Sequence, residues 1–326
     1  MSTGTPCKHD AAFQTSASAD KNERLLRRGQ DGAALVLALW LLSLLTILAV
    51  GYGYATRTET KLASHGVELA RSRAVAEAGV WLALADLLKP ETEQQWLQDG
   101  TPYPLAFGDG HIRLRIHNEA GKIDLNTAHD ELLRALLEQA AQPSDDVDFM
   151  LNAILDWRDP DSLRRNPGAE DGDYEHAGYG AQDAPFNSIE QLRLVAGMSN
   201  EVFVSIYPAL TLYSGQPTLY LPAAPRATLL ALSGADEEAV DAFLLARRAG
   251  NEAPNPPAGI NPGFFGGARG NVFHISSTGR VGNSRLLLDV VLALNNDPRA
   301  PYSILSWQEA KPVYGDPQDQ PDPAWH

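Results

Sequence analysis

Residues 32–56 read GAALVLALWLLSLLTILAVGYGYAT, an uncharged run bracketed by Arg27-Arg28 and Arg57. At about 1.5 Å per helical residue, such a run can cross a hydrocarbon core of roughly 30 Å. The segment directly after it constrains the fold further. From Arg57 to Leu88 there is no proline and only Gly66 and Gly79 interrupt, so the helix is expected to continue as the spine of a folded body until Lys89-Pro90 stops it. Val67, Ala70, Ala74, Ala78, Leu82 and Ala85 recur at three- and four-residue spacing, which predicts an apolar stripe that docks on a sheet.

Three readings fit the run itself. One is a plain single-span anchor. A second is a cleaved secretory signal with Gly53-Tyr54-Ala55 as its small-x-small site, although the apolar core exceeds the roughly 7–15 residues usual there. The third is a prepilin-type signal, in which a basic leader is cut after a glycine directly before the apolar run; Arg27-Arg28-Gly29-Gln30-Asp31-Gly32 followed by Ala33 has that form. Residues 1–26 read as a disordered leader and the Pro/Asp-rich stretch from Lys311 as a disordered tail.

With 326 residues the chain has roughly two domains' worth of core beyond the span. Its one cysteine, Cys7, lies in the leader, which excludes internal disulfides and thiolate zinc sites from the body. A net charge of −15 disfavours phosphate backbones as partners. The excess is concentrated, since residues 145–190 hold twelve acidic side chains against Arg158, Arg164 and Arg165. Carboxylates crowded in this way must be solvated, protonated or neutralised by a cation.

The body reads as strand, helices, then strands. A polar stretch leads to His111–His117, where Ile112, Leu114 and Ile116 alternate with His111, Arg113, Arg115 and His117; this predicts a strand whose polar face is solvated. Helices are predicted after Thr127, with Thr127 and Asp130 as a capping-box start, over 147–158, after Ser188 with Gln191 as cap partner, and over 226–232 and 235–249 with Ser233 and Asp236 between them. Residues 201–213 form a short further segment and 250–270 a loop. Strands return at 272–277, 286–294 and 302–307, with a turn over 278–282. No nucleophile elbow, zinc-protease or phosphate-loop motif is present, so catalysis is not expected.

Several motifs stand out in order: Ile123-Asp-Leu-Asn-Thr-Ala128, Asp156-Trp-Arg-Asp-Pro-Asp161, Gly168-Ala-Glu-Asp171 with Tyr174, and Ala184-Pro-Phe-Asn-Ser-Ile-Glu-Gln-Leu-Arg193. Together with the leader and apolar run, this series resembles the type II secretion system protein K family of minor pseudopilins. The resemblance implies an α+β, pilin-like fold: a long N-terminal helix packed on an antiparallel sheet, with a large inserted α-helical domain. On this reading the leader is 1–32, the spine helix 33–89, the β domain 90–122 with 271–310, the insertion 123–270 and the tail 311–326.

The resemblance also implies a single-pass inner-membrane protein with a periplasmic body, a substrate of prepilin peptidase cleaved after Gly32 and N-methylated on Ala33. It implies assembly with minor pseudopilins I, J and H on an inner-membrane secretion platform, at the tip of a pseudopilus that exports folded proteins. Leu37 then stands at the fifth mature position, where most pilin-like subunits carry a glutamate; a tip subunit has no neighbour above it to need one. The family's calcium-binding region falls on Glu170, Asp171 and Asp173, with Asp159, Asp161 and Asp183 nearby, and such hard oxygens suit Ca²⁺. Asp31 and the Leu221-Pro-Ala-Ala-Pro225 start of the second helical pair depart from the family pattern. Two other readings are a minor pilin of a type IV pilus and, because Ile-Asp-Leu-Asn-Thr-Ala resembles a helix-hairpin-helix start, a membrane-anchored DNA-binding protein. The surrounding acidity argues against the latter, and no nucleic-acid partner is expected.

Overall fold

The computed structural model describes residues 16–90, 94–232, 236–250 and 255–310, with side chains described from residue 33 except 53–60 and 310. Leader residues 1–15, the cap residue Ser233 and the tail 311–326 lie outside the described residues. Two compact units divide the chain at Val67/Glu68. The first contains the apolar span Ala33–Tyr52 of helix α1 (Ser16–Leu87), exposed along its length. The helix begins at Ser16, so residues 16–26 are helical instead of disordered; between Ser16 and Arg28 no glycine or proline opposes it.

In the second unit, the end of α1 lies on a five-stranded antiparallel sheet. The strands are β1 (Tyr103–Phe107), β2 (Gly110–Asn118), β5 (Val272–Val281), β6 (Ser284–Leu294) and β7 (Tyr302–Ala310), in that spatial order. Val75, Ala76, Val80, Ala83, Leu84 and Leu87 pack on Ile112, Leu114, Ile116, Phe273, Ile275, Leu288, Val290 and Leu292. This face is rotated from the predicted stripe: Val67, Ala70, Ala74, Leu82 and Ala85 are exposed. Small residues explain the choice. Ser72, Ala76, Gly79 and Ala83 let the helix backbone approach β5, where Ser277 Oγ donates to Ala76 O (2.8 Å) and Val281 N donates to Ser72 Oγ (3.2 Å).

Two expectations about strands change. Tyr103–Phe107, expected within a polar stretch, forms an edge strand paired with β2, and Pro104 is tolerated there because an edge leaves one side of the backbone unpaired. The expected turn over 278–282 is shorter, since β5 runs to Val281 and the chain reverses at Gly282 (φ +57°). His117 is half-buried rather than solvated; its ring lies against that of His274 (6.0 Å) and under Gly100, and its Nδ1 is shielded without a hydrogen-bond partner.

Between β2 and β5 lies a second core. Its elements are β3 (Ile123–Asp124), α2 (Asp130–Ala140), α3 (Val147–Arg158), α4 (Asp171–Tyr174), α5 (Asn200–Ile206), β4 (Leu210–Thr211), α6 (Arg226–Leu232) and α7 (Glu237–Arg248). The helical excursion is therefore tied by a parallel β3–β4 pair that periodicity does not reveal. Thr127 does not cap α2: its Oγ1 donates to Gln216 O (3.0 Å) and the helix starts at Asp130. The segment after Ser188 is a 3₁₀ turn, Ile189–Leu194, with Gln191 Oε1 accepting from Ser188 N (3.4 Å).

Gly279 of β5 is the tightest point beneath α1. A Cβ there would come within 2.2 Å of Ser72 O and 2.4 Å of Ala76 N, both backbone atoms. Gly279→Val is expected to destabilise the second unit by about 3 kcal/mol or more, read by chemical denaturation, because a rigid helix backbone cannot yield as a side chain would.

Candidate functional site

The sequence motifs meet in one place. Asp124 is buried, and its Oδ1 accepts from Asn126 N (2.9 Å) and Thr127 N (3.1 Å) while Oδ2 accepts from Gly215 N (2.8 Å) and Ser214 Oγ (3.2 Å). Asn126 then clamps the backbone of Phe186, accepting from its N–H (2.7 Å) and donating to its C=O (3.1 Å). From the end of α3, Arg158 donates to Leu125 O (2.8 Å) and Ala128 O (3.3 Å). The backbone and polar atoms of Ile123–Ala128 thus serve internal contacts, a structural role for a segment whose sequence also suggested helix-hairpin-helix modules.

Asp156, fully buried, organises the acidic loop. Its Oδ2 accepts from Ala169 N (3.0 Å) and its Oδ1 pairs with Arg165 Nη1 (2.7 Å). Gly168 is required beside it, since a Cβ would lie 2.3 Å from Asp156 Oδ2. Asp156 is not among the residues expected from the sequence; the signal for it is a carboxylate directly before Trp157 in a turn otherwise buried on all sides. Trp157 packs with Tyr174, Tyr179 and Phe186. Tyr174 accepts from Ala196 N (3.2 Å), and burial pushes its hydroxyl up to about 12.

Against this wall the structure gathers Glu170, Asp159, Asp171 and Asp183. Burial first, then the charges of Asp183, Asp156, Asp159 and Asp171, push Glu170 up to about 7. Asp183, at the left-handed φ of +48°, is raised by burial and by Asp171, Asp159 and Asp161. Both carboxylate oxygens of Glu170, with Asp159 Oδ1 and Asp183 Oδ1, are shielded and lack a hydrogen-bond partner. These are hard, orphaned oxygens, the donor type that Ca²⁺ takes. Among the described residues, however, no three acidic, histidine or cysteine side chains are already arranged to hold a metal.

Two of the predicted residues are engaged elsewhere. Asp173 accepts from Glu170 N (2.9 Å) and pairs with Arg164 (3.3 Å), while exposed Asp161 accepts from Leu163 N (2.9 Å). Gly32, Ala33 and Leu37 lie far along the chain, inside α1, with Leu37 64% exposed.

Comparison with known proteins meets this geometry. The family model described as "Type II secretion system (T2SS), protein K" matches residues 114–215, which contain all four motifs. Type II secretion system protein K of Pseudomonas aeruginosa (strain PAO1) is 26% identical over 198 residues, covering 52% of this chain and 58% of that protein. The chain thus spans little more than half the length of this curated relative. The fold is similar to a chain of "The Crystal Structure of the GspK-GspI-GspJ complex from enterotoxigenic Escherichia coli Type 2 Secretion System", with a TM-score of 0.52 at 16% identity, covering 79% of this chain and 99% of that one. The α+β fold expected from the sequence, a helix on an antiparallel sheet with a helical excursion, is the fold the two chains share.

Asn126→Ala removes both bonds to Phe186 and strands its backbone N–H. The loss is expected to be about 2 kcal/mol in denaturation, with quenching or shift of the Trp157 emission as the wall beside the acidic loop loosens.

Proposed function

We propose that this chain, similar to type II secretion system protein K in motif, family match and fold, acts as a minor pseudopilin. The observation that carries the reading is the coincidence of the family match, residues 114–215, with the motifs locked together around Asp124, Asn126, Asp156 and Arg158. The exposed apolar span Ala33–Tyr52 suits a single-pass inner-membrane anchor with the second unit in the periplasm. Prepilin peptidase would cut after Gly32 and methylate Ala33. A carboxylate in the hydrocarbon region is costly unless paired; Leu37 is suited to a tip subunit that offers no carboxylate to a neighbour's amine. At the tip it would assemble with minor pseudopilins I, J and H on the inner-membrane secretion platform and help initiate the pseudopilus.

Mass spectrometry of protein from cells with the peptidase is expected to give an N-methylated Ala33 terminus, and from cells without it an intact leader. A leader retained in both would return the chain to a plain anchor.

The acidic loop is proposed to bind calcium through Glu170, Asp171, Asp159 and Asp183, with backbone carbonyls and water completing the shell. The support is the orphaned oxygens and the raised Glu170. In the folded state Glu170 holds its proton up to about pH 7, whereas in the unfolded chain it has released it near pH 4.5. The fold therefore binds the extra proton in that window, and stability without calcium falls as pH rises through it. Calcium is expected to raise the melting temperature more at pH 8 than at pH 5. Glu170→Gln should melt higher than wild type in chelator at pH 8 and gain less from calcium. Equal melts with calcium and chelator would remove the site.

A further inference from the structure

Helix α1 lies over the central strand β5, and the outer strand β7 forms a shoulder beside it. Register sets Tyr302 opposite Leu294, Ile304 opposite Leu292 and Trp307 opposite Val290, so all three side chains stand on the face that α1 packs against. The extra residue Leu305, at the bulge between β6 and β7, keeps Tyr302 and Trp307 on one face despite their odd spacing. From α1, Trp81 lies edge-on to Tyr302 (6.1 Å) and tilted against Trp307 (6.2 Å). Trp81 is 44% exposed and Ile304 45%, so the rings form an aromatic shelf half in water.

The outer edge of β7 runs along this shelf. At the opposite edge of the sheet, β1 has five residues and carries Pro104, whereas β7 has nine and contains neither proline nor lysine. Folded proteins guard or cover such edges. Directly after Ala310 the sequence supplies a segment suited to aromatic rings: residues 311–326 contain Pro312, Pro317, Pro321, Pro323 and Trp325. Prolines cannot donate to a ladder, which disfavours this segment as a sixth strand. Polyproline II needs no ladder, and proline-rich segments in that form dock on aromatic-lined grooves.

We propose that residues 317–325 lie along the shelf as a polyproline II strap, with prolines against the rings of Trp81, Tyr302 and Trp307. Gly315, ahead of Asp316-Pro317, lets the chain reverse after β7. At about 3.1 Å per residue the strap covers roughly 25 Å, more than the roughly 17 Å of strand from Tyr302 to Trp307. Tethered this closely, it acts at an effective concentration on the order of millimolar, so individually weak ring contacts suffice. The strap rests on neither the calcium nor the secretory reading.

The test uses the full chain in detergent, labelled with 5-fluorotryptophan, each fluorine signal assigned by a single Trp→Phe substitution. The Trp325 signal is expected to be displaced from its position in the free peptide 311–326. Replacing Pro317, Pro321 and Pro323 together by alanine is expected to return Trp325 to that position and to shift Trp81 and Trp307. Trp157, in the second core, should not move. These substitutions lie beyond β7, so they read the contact without unfolding the body. Trp81→Ala is expected to release Trp325 as well, with Trp157 again reporting an intact fold. A Trp325 signal already at the free-peptide position would overturn the proposal. So would Trp81 and Trp307 signals indifferent to the three prolines, or a Trp325 displacement lost on dilution, which would assign the shelf to the tail of a second copy.

Discussion

The close approach of α1 to β5 governs what the rest of the second unit can be. A helix normally stands off a sheet by the length of its side chains. Here Ser72, Ala76 and Gly79 face Ser277 and Gly279, so backbone meets backbone and the serine hydroxyls satisfy groups that no water reaches. That contact makes β5 the central strand, flanked by β2 and β6. Asn118, where the chain leaves β2, is the register partner of Phe273, where it returns to β5. The long excursion therefore departs and comes back within one strand spacing, about 4.8 Å. Closing a longer loop between fixed ends adds little entropy cost, and the sheet tolerates a second core hung from it.

A few buried polar groups fix that second core in place. Asn118 is fully buried, donates to Gly270 O (2.9 Å) at the exit and accepts from Ala120 N (3.0 Å) at the start. Glu119 beside it is held below its ordinary range: burial opposes this, but Lys122, His274 and Thr211 outweigh it. On α7, Arg247 reaches Asp99 (2.6 Å), both nearly without exposure, and also donates to Leu221 O (3.2 Å) and Ala224 O (3.0 Å). Removing one partner of such a pair leaves an uncompensated charge and costs about 3–5 kcal/mol. Arginine is needed because one planar fork serves three acceptors on two segments.

Local pattern made the strands of the sheet and most helices legible, because alternation at 111–117 and 286–294 and helical spacing at 147–158 report burial directly. It failed where the cause lay elsewhere in the chain. Gly279 read as a turn residue although it is glycine for the helix above it. Apolar spacing on α1 points to Val67, Ala70, Ala74, Ala78, Leu82 and Ala85, whereas the docked face carries Val75, Ala76, Val80, Ala83, Leu84 and Leu87 around Ser72 and Gly79, whose value lies in a closeness of approach that hydropathy cannot weigh. Pro104 disguised an edge strand. In the acidic loop the density of carboxylates was visible, but not which would be consumed: Asp173 and Asp161 by local backbone, Asp156 by Arg165 and Ala169.

That division of the carboxylates leaves an unbalanced remainder. Three arginines stand near the loop and none reaches Glu170 or Asp183: Arg158 is turned to the carbonyls of Leu125 and Ala128, Arg164 to Asp173, and Arg165 to Asp156 and Asp159. Gly168 and Gly180 pack so closely on Asp156 and Asp171 that a methyl group at either glycine would collide with the carboxylate. A proton serves while the pH is below the raised range of Glu170, near 7, and the calcium proposed above would serve beyond it. On the proposed calcium reading, the same crowding that opposes the fold at neutral pH would make the loop responsive to a cation, because a fully arginine-paired loop would have nothing left to bind.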